Sequence, residues 1–181
     1  MKNGTEKKIL DVALKEFAEK GYKGASVRDI AIKSGFNDST LYRRFKSKRD
    51  LFEAVINRGH EKMHRDFDSI LHDSAYETPR EFLETFVKDY AQMMEENLET
   101  YDLALHDKSG KFEPDMAAFF KQFTEYLEKN LPESKIDHAT LAITMAGFMY
   151  TLALERYYGG IIPNFEYFIE KFIDNLLMSI E

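Results

Sequence analysis

Between Ser26 and Lys48 the chain gathers side chains able to grip phosphate and to read hydrogen-bonding edges: Ser39, Thr40, Tyr42, Arg43 and Lys46, flanked by Arg28 and Lys48. A hydroxyl can donate or accept, a guanidinium presents a planar fork of donors, and an ammonium is a compact mobile charge. Leu41 and Phe45 are four apart, so on a helix they share an inner face. That leaves Asp38, Ser39, Thr40, Tyr42, Arg43 and Lys46 outward, a polar and basic face that suits a nucleic-acid groove. The competing reading is an ordinary solvated helix face.

A second chemistry is spelled by His60 to His64, HEKMH. Two histidines one helical turn apart can bind zinc with the intervening glutamate as base, so a metallohydrolase is a rival reading. Against it, the motif lies on a charged helix, and no third ligand or enzyme-sized sheet is suggested. His72, His106 and His138 are scattered. No metal site, cofactor or enzymatic activity is therefore expected.

The elements that must position the basic face can be read from their ends. Ser26, with Asp29 three residues on, caps a helix whose Val27, Ile30 and Ala31 share an apolar side, and Gly35 stops it. Asn37 is a strong N-cap for the helix that follows and heads its outward face. Thr5 to Lys20 reads as an earlier helix, with Ile9, Leu10, Ala13, Leu14 and Phe17 inward and Gly21 as its stop. Ser47 and Asp50 make another capping box, opening a long helix to about Leu71.

With these residues in place, ASVRDIAIKSGFNDSTLYRRFKSKRDLFEAV resembles the signature of the TetR family of bacterial transcriptional regulators. Ile30, Ala31, Gly35, Thr40, Leu41, Tyr42, Phe45, Ser47, Lys48 and Leu51 match the family pattern. Ser34, Phe36, Asn37 and Ser39 depart from it, and Asp38 places a carboxylate where a small or basic residue is commoner. The resemblance covers about the first 55 residues. It implies a homodimer on a double-stranded palindromic operator, with Ser26, Arg28, Asn37, Ser39, Thr40, Tyr42, Arg43, Lys46 and Lys48 at the DNA. Hydroxyls would reach base edges or nearby phosphate, and Tyr42, Lys46 and Lys48 mainly phosphate. It further implies a body that holds a small effector whose binding releases the DNA.

Charge agrees with such a division. The chain is acidic, at −7, yet residues 1–60 hold 14 of its 25 Lys and Arg against 8 of its 32 Asp and Glu. The remaining residues hold 11 against 24, so a basic head precedes an acidic body. Cysteine is absent, in keeping with a reducing cytoplasm. The longest uncharged run, Ala139 to Leu154, would span about 24 Å as a helix, short of a bilayer's roughly 30 Å. No membrane partner is expected.

The domain boundaries read as 1–47 for the helix-turn-helix domain and 48–181 for an effector-binding and dimerisation domain. HDSAYET is a loop, and Thr78, Pro79 and Glu81 start a helix through Phe82, Phe86, Tyr90 and Met93, with a break near Asn97. Residues 107–113 form a polar loop, after which Pro114 opens a helix ending at Pro132. Asp137 caps a helix from His138 to about Tyr158 that reads as buried all round, and a last helix runs from Asn164. The fold class is all-α, about nine helices: an N-terminal three-helix domain and a C-terminal helical bundle.

Tyr90, Met93, Met94, Tyr101, Phe119, Phe123, Met145, Phe148, Met149 and Leu152 are the candidate lining of a pocket for a largely apolar effector. Plain hydrophobic core is the alternative for the same residues. The last two helices present more apolar surface than the body can cover, so Phe172, Leu176 and Ile180 are assigned to a dimer interface. A regulator of the same fold controlled by a protein partner is the alternative to one controlled by a small molecule.

Overall fold

The computed structural model describes residues 2–71, 75–106, 116–160 and 162–180, which hold eight helices and no strand among the described residues. These are α1 (Lys2–Gly24), α2 (Val27–Ser34), α3 (Asp38–Arg44), α4 (Lys48–Ile70), α5 (Pro79–His106), α6 (Met116–Asn130), α7 (His138–Tyr157) and α8 (Phe165–Ile180). The polar loop 107–113, the opening role of Pro114 and His72 fall outside the described residues. The chain divides into two compact units, Met1–His64 with Asn97–Phe112, and Arg65–Glu96 with Glu113–Glu181. Both α4 and α5 therefore contribute residues to each unit.

In the first unit the apolar side of α1, Ile9, Leu10, Ala13 and Phe17, is buried with Ile30 and Ala31 of α2 and Leu41 of α3. Leu51, Phe52, Val55 and Ile56 of α4 complete the core, and Leu103 near the end of α5 joins it. Phe17 and Phe52 meet edge to face with ring centroids 5.0 Å apart. Arg58 fastens α4 to α1, donating to the Asp11 carboxylate at 2.5 Å and the Lys7 carbonyl at 3.1 Å. Glu16 is only 1% exposed and bridges Lys20 on its own helix and Lys33 on α2. Hydrogen bonds from Lys20 first, then Lys33, hold its carboxyl below the ordinary range against the opposing cost of burial.

Sequence places the end of the first helix at Gly21, and the chain does break there, with φ 68° and ψ 169°, a conformation only glycine adopts without strain. A short helical turn then resumes through Gly24, and the helix begins earlier than Thr5. The expected break near Asn97 is absent: α5 runs unbroken from Pro79 to His106. Asn97 is buried and accepts a hydrogen bond from Lys62 Nζ at 3.2 Å, so its side chain is engaged across helices. That continuity accounts for eight helices in place of about nine.

The second unit packs the remainder of α4 and α5 with α6, α7 and α8. Its core is strongly aromatic, joining Phe67, Phe82, Phe86, Tyr90 and Phe123. Local caps set its boundaries. Thr78 Oγ1 accepts from Glu81 N at 3.1 Å while Glu81 reaches back to Glu77 N at 2.8 Å, and Asp137 Oδ1 accepts from Thr140 N at 2.8 Å. Contrary to the sequence expectation, α7 is not buried all round. Leu141, Ala142, Met145, Met149, Leu152 and Ala153 face inward, whereas Ile143 is 58% exposed. An uncharged run cannot itself say whether every side faces the chain's own core.

Candidate nucleic-acid interface

The two helices of the motif are built by side-chain caps. Ser26 Oγ accepts from Asp29 N at 3.4 Å, and Gly35, at φ 79° and ψ 25°, closes α2 with its own N–H on Ile32 O and that of Phe36 on Ala31 O. The departures at positions 34 and 36 fit locally. Ser34 is fully buried with its hydroxyl donating to Ala31 O at 3.0 Å, and the Lys8 ammonium lies 5.8 Å from the Phe36 ring centre.

Asn37 does more than cap. Its Oδ1 accepts from Thr40 N at 2.9 Å and also from the hydroxyls of Ser39 and Thr40, each at 2.8 Å. Both hydroxyl hydrogens are thus turned onto the cap, leaving their lone pairs for any further partner. Leu41 is buried, whereas Arg28, Asp38, Ser39, Tyr42, Arg43 and Lys46 are exposed. Arg44 serves the fold instead, meeting Glu6 of α1 at 3.3 Å.

The start of α4 forms a second patch. Ser47 Oγ accepts from Asp50 N at 3.0 Å, and Asp50 accepts from Lys46 N at 2.8 Å. Lys48 Nζ donates to Lys23 O at 3.2 Å and stands 4.9 Å from the centre of the Tyr22 ring. Sequence reading missed Tyr22. The only local sign was an aromatic directly after a helix-stopping glycine, and its partner Lys48 is remote in sequence.

The histidine pair of HEKMH faces itself, with ring centroids 6.4 Å apart. Burial, then the neighbouring His64, pushes His60 below its ordinary pKa. Among the described residues no group of three His, Cys, Asp or Glu could hold a metal ion. His138 Nε2 lies 2.9 Å from Leu131 O.

The candidate effector residues separate. Tyr101 belongs to the first unit, where burial raises its phenol pKa. The other nine belong to the second unit. There Phe67 lies 4.6 Å from Phe119 and 5.7 Å from Phe123, and Phe86 stacks on Tyr90 at 5.7 Å, so these rings pack on one another. Met94 and Met145 are buried. Met149 and Leu152 line a slot of about 50 Å³ with Phe165 and Ile169, and Met93 lines a shallow open groove of about 280 Å³.

Of the residues assigned to a dimer interface, Leu176 and Ile180 are buried within the chain's own second unit. Phe172 is half-buried and stacks on Phe148 of α7, centroids 3.9 Å apart. The outward apolar residues of α8 are Tyr167, Phe168 and Met178, the last 81% exposed. The expected stripe was broad enough to have two sides, and Leu176 and Ile180 lie on the inner one.

Two capped helices on a small core, the second helix bearing an exposed basic and hydroxyl face, form a helix-turn-helix. The model of the family described as bacterial regulatory proteins, tetR family, matches residues 9–55. The HTH-type transcriptional repressor KstR2 of Rhodococcus jostii is 36% identical over 55 residues, covering 30% of this chain and 27% of that repressor's length. Beyond the motif, the fold matches a transcriptional regulator from Aquifex aeolicus with TM-score 0.69 and 27% identity, over 96% of this chain and 98% of that one. AibR, solved in complex with isovaleryl coenzyme A and operator DNA, has the same fold at TM-score 0.64 and 19% identity, covering 97% of each chain. The family match thus falls on the helix-turn-helix region, residues 9–55, and the likeness over the rest of the chain is one of fold. Among the described residues no helix is long and apolar enough to cross a membrane.

Proposed function

We propose that the chain is a ligand-responsive repressor that binds a palindromic operator as a homodimer and leaves it when a small, largely apolar effector enters the body. The observation that carries the DNA half is the exposed face of α3, with Ser39, Tyr42, Arg43 and Lys46 outward from a buried Leu41. Thr40 and Asn37 head that face, Lys48 and the start of α4 add a phosphate site, and Ser26 with Arg28 adds another at α2. The homology to a repressor supports the sign of regulation.

Dimerisation is supported by the outward apolar residues Ile143 of α7 and Phe168 and Met178 of α8, with Phe172 beside them. Two recognition helices in successive major grooves must be spaced roughly 34 to 36 Å apart. AibR's complex with an acyl coenzyme A and DNA supports the effector half, and the cluster of Phe67, Tyr90, Phe119 and Phe123 is where an apolar molecule would part rings now in contact. Control by a protein partner remains the second reading, favoured by that mutual ring packing. The test is gel-shift binding to the DNA upstream of the gene and its neighbours, followed by a thermal-shift screen of hydrophobic compounds. Hits that raise the melting temperature and release the DNA support the proposal, and a chain that binds none of the upstream fragments refutes it.

A further inference from the structure

We infer that Tyr22 is a positioning residue for DNA binding, its ring holding the Lys48 ammonium at the start of α4 where a phosphate would sit. The inference rests on the proposed DNA-binding reading. It begins at Gly21, whose φ of 68° and ψ of 169° turn the chain out of α1 in a way no other residue would follow without strain. The turn lays the next ring, Tyr22, against the core: stacked on Phe17 at 6.1 Å and edge to face with Phe52 at 5.1 Å. Held by two buried rings, Tyr22 remains 37% exposed, and Lys48 Nζ stands 4.9 Å from its centre.

A lysine on a surface helix ordinarily samples many rotamers, and ordering it at a phosphate has an entropic cost. Here two contacts restrict it before DNA arrives. The ring attracts the cation through its quadrupole, and Lys23 O accepts one of three N–H bonds at 3.2 Å, so donors remain for a phosphate oxygen. Arg49 also approaches the ring, at 5.9 Å, but its guanidinium is occupied by Glu53 at 2.7 Å and lies over Phe52 at 5.4 Å. Two helix ends, the terminus of α1 and the start of α4, are thus joined by a cation that the proposed function needs in one place.

Because a phosphate contact is indifferent to sequence, the probe is a mixed-sequence duplex of about 30 base pairs, titrated with KCl from low salt. Tyr22→Leu keeps apolar packing and removes the π face. It should weaken binding about two- to fivefold per protomer, or about fourfold to twenty-fivefold for a dimer, with the salt slope unchanged because Lys48 still reaches the phosphate. Tyr22→Phe should bind as the unaltered protein does. In a Lys48→Met background, Tyr22→Leu should have no further effect, an outcome a merely structural role would not give. Equal weakening in both backgrounds, a Tyr22→Phe as weak as Tyr22→Leu, or no weakening at all would overturn the inference. Should Tyr22→Leu not fold, the Lys48 Cε protons of the unaltered protein decide: a ring-current upfield shift is expected, and unshifted protons overturn it. Failure of the unaltered protein to bind duplex even at low salt would instead overturn the DNA-binding reading itself.

Discussion

Gly59→Ala is a sharp test of how α4 and α5 meet inside the first unit, because two effects of known sign oppose each other. In a helix interior alanine is favoured over glycine by about 1 kcal/mol, so an unhindered site would gain stability. Here a Cβ on residue 59 would lie 2.1 Å from Thr100 Cγ2, 2.6 Å from its Oγ1 and 2.9 Å from its Cβ. Thr100 is 4% exposed, and rotating its β-branched side chain only exchanges one obstructing atom for another. The helices must separate, and overpacking of this kind costs about 1–3 kcal/mol. A clash this deep belongs at the upper end, for a net loss of about 1–2 kcal/mol, and at the roughly 2–4 °C per kcal/mol of a chain this size the melting temperature should fall by about 2–8 °C. Circular dichroism melts of Gly59→Ala, Thr100→Ala and the pair would measure it. In the Thr100→Ala background the 2.1 and 2.6 Å contacts are gone and the 2.9 Å approach to Cβ remains, so the loss should shrink without vanishing, giving a coupling of about 1 kcal/mol or more. A Gly59→Ala protein that melts at or above the parent would refute the packing described.

Glu16 offers a test by pH. Its carboxyl is lowered from 4.5, chiefly by Lys20 and then Lys33, so its contribution is fully present above about pH 4.5 and is lost as pH falls through its folded value. Glu16→Gln should therefore cost about 1 kcal/mol in neutral urea melts, with the gap closing in acid; a pH-independent gap would contradict the ion-pair account. Asn37→Ala removes the α3 cap and should cost about 1 kcal/mol of stability, and it frees the hydroxyls of Ser39 and Thr40, so operator preference should change along with it, as a binding-site selection would record. Tyr42→Ala and Lys48→Ala should each weaken binding on all sequences without unfolding the chain. With about eight phosphates per dimer the log K against log salt slope should be near −7, and losing Lys48 should flatten it by about 2, an unchanged slope removing it from the interface. Phe168→Glu with Met178→Glu should leave a folded monomer by sedimentation, whereas Leu176→Glu should unfold the second unit by several kcal/mol, a difference that vanishes if α8 faces the other way.

What was legible in the sequence was mostly local. Ser26, Asn37, Ser47, Thr78 and Asp137 each cap through a bond to a backbone three residues on, and such spacing is written directly in the chain. The inward pair Leu41 and Phe45 was legible for the same reason. Interactions across the chain were not. Asparagine at 97 reads as a helix breaker until Lys62 is seen to occupy its side chain. The α8 stripe gave the right element, but periodicity could not tell its inner side, Leu176 and Ile180, from its outer side, Phe168 and Met178. Aromatic composition likewise could not separate pocket from core, nor tell Tyr101, which groups with the first unit, from the nine candidates that group with the second.

The division of α5 bears on how an effector could act on DNA. α4 is one candidate lever, since it begins at Lys48, proposed above as a phosphate contact, and continues into the second unit. The structure gives α5 an equal claim, because residues from Asn97 onward belong to the first unit and Leu103 lies in its core. Within that unit the two helices are not free of each other: Gly59 is in close contact with Thr100, and Lys62 holds Asn97. A shift of α4 alone would have to break both contacts, whereas a shift of the pair keeps them and displaces the core around Leu103 as well. Packed interfaces of this kind move between discrete arrangements and do not deform continuously. On the proposed function, then, the effector signal travels as a displacement of α4 and α5 together. Loosening Gly59–Thr100 should lower the reciprocal coupling between effector and operator even where each still binds, and linkage requires the same factor in both directions. Calorimetry of one effector with and without operator, in the parent and in Thr100→Ala, reads that factor, and an unchanged value would return the role to α4 alone.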